Sequence, residues 1–116
     1  MPRTVLVIRP RESAYPDPVR VRQGEHVTLG SRDPDFPGWI RVTDPAGRKG
    51  WAPESLVEET GDGRARAKED YDATELDVSP GMRLTVHRET AGWIWVCTED
   101  GVFGWVPVDC TRETRP

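Results

Sequence analysis

Gly38-Trp39-Ile40-Arg41-Val42 returns as Gly92-Trp93-Ile94-Trp95-Val96, and each is followed by Gly-Trp-x-Pro, Gly50-Trp51-Ala52-Pro53 and then Gly104-Trp105-Val106-Pro107. Every matched residue lies 54 positions after its counterpart. Residues 38–53 agree with 92–107 at eight of sixteen positions, where chance gives roughly one. A period this long marks a duplicated unit rather than one continuous fold. The 116 residues then divide into two units, each small enough to bury only about 60% of its unfolded surface.

Eleven glycines and eleven prolines disfavour long helices and favour short strands with tight turns. Alternating or β-branched runs predict five strands per unit. In the first unit these are 4–8, 19–21, 26–29, 39–43 and 50–52; in the second, 66–69, 76–78, 83–87, 93–98 and 104–106. The turns Asp44-Pro45-Ala46-Gly47 and Glu99-Asp100-Gly101 separate the last two strands of each, with glycine free to adopt the positive φ a hairpin needs. Proline cannot continue a ladder, so a short 3₁₀ turn is predicted after Pro53 and after Pro107. The polar, aperiodic run Glu58–Arg64 reads as a linker, and the polar tail 111–116 as frayed. The expected fold is all-β, two small five-stranded barrels in tandem over residues 3–58 and 65–112, joined by a linker at 59–64.

Strand parity sorts the side chains. Ile40, Val42, Ile94 and Val96 point into the barrels, which turns Trp39 and Trp93 outward. A large aromatic placed twice opposite the core face calls for a groove or an interface. Trp95 aligns with Arg41 and also faces outward; this unrepeated aromatic predicts a packing surface between units or chains, and with it a homo-oligomer.

The second unit opens with Ala67-Lys68-Glu69-Asp70-Tyr71, continues through Glu75-Leu76-Asp77-Val78 and Pro80-Gly81-Met82, and closes with Gly92-Trp93 and Gly104-Trp105-Val106-Pro107. Read in that order it resembles an SH3 domain of the variant type common in bacteria. The first unit shares the resemblance through Val19–Glu25 and residues 38–57. The resemblance implies a non-catalytic module that grips extended, proline-rich peptides, already held as polyproline II, between aromatic ridges. It places the peptide-binding positions on Tyr71, Trp93, Trp105 and Pro107, with Glu75 to pair with a ligand Arg or Lys. In the first unit they fall on Trp39, Trp51 and Pro53, with Leu56 and Tyr15 beside them. The family's opening motif has Tyr where this chain has Glu69, and a later Tyr is replaced by Cys110, or by Leu56 in the first unit. Two missing aromatic walls predict weak affinity, on the order of tens of micromolar or poorer.

Two alternatives belong to other classes: a bacterial cell-wall (peptidoglycan) binding SH3 module, and a structural or oligomerising protein without a groove ligand. The net charge of −4 and the absence of any basic run longer than two residues disfavour nucleic acid and anionic membrane as partners. No apolar stretch approaches the ~20 residues of a membrane span, and Val5–Ile8 is too short for a signal-peptide core. Only two cysteines, Cys97 and Cys110, are present; they read as free, inert thiols in a cytoplasmic protein. His26 and His87 have no Cys or His at ligand spacing, so no metal is expected, and no glycine-rich phosphate loop or other cofactor motif occurs. Nothing in the sequence sets a His, a Cys and an Asp side by side, and the chain is read as no enzyme.

Overall fold

The computed structural model describes residues 3–13 and 17–114. In chain order the first strands are β1 (Arg3–Val7), β2 (Arg20–Val21), β3 (His26–Arg32), β4 (Trp39–Thr43), β5 (Lys49–Pro53) and β6 (Val57–Gly61). They are followed by β7 (Arg64–Ala67), β8 (Tyr71–Asp72), β9 (Arg83–Thr90), β10 (Trp93–Thr98), β11 (Phe103–Pro107) and β12 (Thr111–Glu113). Single 3₁₀ turns at Glu54–Leu56 and Val108–Cys110 follow the two prolines, as the sequence predicts.

The fold is all-β, with two SH3-like units each built on a five-stranded sheet. One sheet has the order β5-β4-β3-β7-β6 and the other β11-β10-β9-β1-β12. Equivalent strands therefore hold equivalent places, with β1 standing where β7 stands in the other sheet. The backbone bonds agree. Ala67 N–H donates to Glu25 O and Gly24 N–H to Ala67 O, at 2.9 and 2.8 Å; Val7 N–H donates to Met82 O and Gly81 N–H to Val7 O, both at 2.9 Å.

The division of the chain differs from the expected 3–58, 59–64 and 65–112. One unit is Asp17–Ala73, the continuous barrel; the other, the composite barrel, is made from the chain on both sides of it. Strand β1 leaves the first repeat to pair with β9 and β12, and β7 leaves the second to pair with β3 and β6. The cause lies in the expected linker. Gly61 pairs with Arg64 across the two-residue turn Asp62-Gly63, where Gly63 has φ 68°, so residues 57–67 close a tight hairpin. A loop that short costs little closure entropy, and it delivers β7 to its own sequence neighbour. The place left in the other sheet goes to β1. Arg3 secures it there, its guanidinium reaching Glu89 on β9 and Glu113 on β12, both at 2.6 Å.

The composite core is Val5, Val7, Leu76, Val78, Leu84, Ile94, Val96, Val106 and Cys110. Residues 76–78, expected as a strand, form no named strand and are held by isolated bridges, Arg11 to Val78 and Glu75 to Trp105, and by the Ser13 N–H, which donates to Asp77 Oδ1 at 2.7 Å. The continuous barrel buries Val19, Val21, Val27, Ile40, Val42, Ala52, Leu56, Ala65 and Ala67. The Gly of each Gly-Trp-x-Pro has a packing reason. A β-carbon on Gly104 would stand 2.6 Å from Leu76 Cγ, and one on Gly50 3.2 Å from Val19 Cγ2.

Candidate ligand-binding face

The non-core face of the β10–β11 hairpin is set by register. Trp93 stands opposite Pro107, Trp95 opposite Trp105 and Cys97 opposite Phe103, while Ile94, Val96 and Val106 turn into the core. The same face of β4–β5 carries Trp39 opposite Pro53, Arg41 opposite Trp51 and Thr43 opposite Lys49. Parity thus assigns Trp39 and Trp93 to the outer side, as expected, but neither ring is exposed: they retain 4% and 8% of their accessible surface. Trp105, Pro53 and Pro107 are buried as well. Trp51 is half-buried, with the Arg41 guanidinium 5.7 Å from its ring.

Strand exchange redistributes the expected site. Tyr71 lies in the continuous barrel, where β8 pairs it with Val21 and its hydroxyl donates to the Trp51 carbonyl at 2.7 Å. Glu75, Trp93, Trp105 and Pro107 belong instead to the composite barrel, because the division falls between Ala73 and Thr74. Tyr15 lies outside the described residues. Leu56 is a buried member of the continuous barrel.

Arg11 was not a candidate in the linear reading. It pairs with Val78 as Tyr71 pairs with Val21, so it occupies in the composite barrel the position of that tyrosine. Its guanidinium carbon lies 4.9 Å from the Trp93 ring centroid, and its Nη2 lies 3.5 Å from Glu75 Oε1. Glu75 is not a solvated carboxylate: its side chain is 11% exposed. Burial pushes its pKa up, Arg11 pulls it back, and Asp77 adds a smaller upward push. The Arg11 Nε is buried and meets no acceptor among the described residues.

Trp95 is half-buried rather than open. It stacks on Phe103 with centroids 6.1 Å apart and lies 5.4 Å from Trp105. Beyond it the row reaches solvent, with Phe103 46% exposed beside exposed Val102. The structure also sets a His and a Cys together, against the sequence expectation. Trp95 pairs with Arg88 but Val96 with Val86, so His87 is the extra residue of a β-bulge, and its Nε2 lies 3.3 Å from Cys97 Sγ. Bulges re-aim side chains, and strand periodicity does not reveal them. No group of three or more His, Cys, Asp or Glu side chains among the described residues is arranged to hold a metal ion.

No curated protein and no solved structure matches the chain. The family model of the variant SH3 domain matches residues 4–60, the run from β1 into β6 that a single unexchanged unit would use, and that stretch is accordingly similar to a family of non-catalytic binding modules.

Proposed function

We propose that the chain binds a protein partner through an extended, proline-rich segment laid on the aromatic faces of its barrels. One observation carries this reading: in each barrel the register sets a tryptophan opposite a proline with a second tryptophan two residues along the strand, Trp39–Pro53 with Trp51 and Trp93–Pro107 with Trp105. Flat rings in such a row match the faces of a polyproline II helix, which loses little entropy on docking. In the continuous barrel the Tyr71 hydroxyl donates to the Trp51 carbonyl, which supports a role for it beside that row, and in the composite barrel Glu75 offers a carboxylate for a ligand cation. Free thiols at Cys97 and Cys110 suit a reducing compartment, the cytoplasm. The net charge of −4 suits neither nucleic acid nor anionic membrane.

The test is a titration of proline-rich peptides, with and without one Arg, followed by the indole and amide signals of Trp39, Trp51, Tyr71, Trp93 and Trp105. Saturable shifts at these positions with dissociation constants of about tens of micromolar or weaker support the reading. A broad panel that moves none of them defeats it. Pelleting with purified peptidoglycan would instead assign a cell-wall ligand.

A second reading, self-association, is favoured by the exposed Phe103 and Val102 next to Trp95. A light-scattering mass above the 13.1 kDa of one chain, lowered by Phe103→Ser, would establish it.

A further inference from the structure

The contacts of Arg11 resemble those of a bound ligand more than those of a structural cation. A guanidinium is flat and weakly hydrated, and it is attracted to the face of an indole while pairing with a carboxylate at its edge. Arg11 meets both conditions, over Trp93 at 4.9 Å and beside Glu75 at 3.5 Å. Two features weaken the arrangement. The ion-pair distance is at the long end of useful contact, and the buried Nε is left without an acceptor, which is costly for a polar group. About a third of the side chain, 34%, still reaches solvent.

We propose that the chain's own Arg11 sits as a tethered occupant on Trp93 and Glu75, the cation position that the resemblance to an SH3 domain implies, and that an arginine-bearing ligand must displace it. The identity of that ligand as a peptide rests on the function proposed above; the occupancy itself rests on the geometry of Arg11. A group held on a short tether competes at an effective concentration of order millimolar, so a weak external ligand sees an affinity reduced by the fraction of time the site is empty. The composite barrel is then a gated site.

The test uses the full chain and a probe independent of any peptide. Argininamide, with lysinamide as control, is titrated into the wild type, Arg11→Ala and Arg11→Lys while the Trp93 indole N–H and the Glu75 carboxyl carbon are followed. Both variants should take up argininamide saturably, at least tenfold more tightly than the wild type, and lysinamide at least fivefold more weakly than argininamide. Arg11→Lys keeps the charge that faces Glu75, so it serves if the alanine variant does not fold. Equal responses in wild type and folded variants, or no saturable response at Trp93 in the variants, overturn the proposal. Variants that accept argininamide while no proline-rich peptide binds either barrel leave the occupancy standing and remove the peptide-binding reading. Peptide binding at Trp51 and Tyr71 with a Trp93 site blind to argininamide does the reverse.

Discussion

Arg11 and Tyr71 hold the same place in the two barrels, each paired with the equivalent valine, Val78 and Val21. The tyrosine turns its hydroxyl to the Trp51 carbonyl, whereas the arginine turns a charge toward Trp93 and Glu75. The same backbone position thus gives one barrel a neutral aromatic and the other a half-buried ion pair.

Two carboxylates, half-buried Glu75 and buried Asp44, give opposite pH dependences. Burial leaves Glu75 with a raised pKa despite Arg11, so its contribution to stability is complete below the ordinary glutamate value and is lost as pH rises through the folded one. Asp44 also suffers desolvation. The N–H groups of Arg20 and Arg48 and the Arg48 guanidinium, 2.7 Å away, outweigh it and leave the pKa lowered. Its contribution is present above the ordinary aspartate value and lost as pH falls through the depressed one. Urea denaturation across pH should show Glu75→Gln flattening the loss on the rising side and Asp44→Asn reducing the loss on the acid side. Arg11→Ala should raise the Glu75 pKa further in a carboxyl-carbon NMR titration.

Gly104→Ala should destabilise the composite barrel by about 1–3 kcal/mol, because the new methyl meets Leu76 Cγ and Cδ2 in a packed core. Gly50→Ala, facing the Val19 side chain at 3.2 Å, should cost less than about 1 kcal/mol. Chemical denaturation of both variants measures the contrast, and equal losses would contradict this packing.

The β9–β10 hairpin turns through Ala91-Gly92 with φ 47° and 88°, and Ala91 is the one described non-glycine residue with positive φ. Left-handed backbone costs a residue with a β-carbon about 1–2 kcal/mol. Ala91→Gly should therefore raise the thermal midpoint, whereas Ala91→Val should lower it.

The exchanged strands predict which fragments fold. Residues 17–73 contain all five strands of the continuous barrel and should give a dispersed NMR spectrum alone. Residues 65–112, the unit expected from the linear repeat, lack β1 and should remain unfolded. Adding a peptide of residues 1–13 to residues 74–116 should restore dispersion.

The two thiols should differ in reactivity. Cys110 is buried in the core and its pKa is pushed up by desolvation, with Asp109 adding to the push. Cys97 is half-buried on the outer face beside His87. Iodoacetamide should label Cys97 first; preferential labelling of Cys110 would contradict the assignment.

The hairpins β4–β5 and β10–β11 were legible in the sequence because apolar alternation, glycine turns and terminal prolines agree there. Strands β6 and β12 were not: their residues are mostly polar and exposed, so they resemble a linker and a tail. Both owe their strand conformation to an opening strand beside them, a long-range effect with no local pattern. A repeat shows that Val5 and Ala65 are equivalent without showing which barrel receives each. The Asp62-Gly63 turn was the available signal, and its short reach decides the matter. The contact of Arg11 with Glu75 was hidden for the same reason, since a linear reading assigns these residues to different units.

Synthesis runs from the N-terminus, so β1 leaves the ribosome well before its sheet neighbours β9 and β12. At about 5–20 residues per second the strand waits several seconds with both edges unpaired. Val5 and Val7 would then be open to any passing strand. The continuous barrel can close meanwhile, so the nascent protein carries a finished domain and an unpaired, sticky strand together. Slowing elongation after residue 73 should increase aggregation and recruitment of holdase chaperones, a vulnerability that a simple tandem of self-contained units would not have.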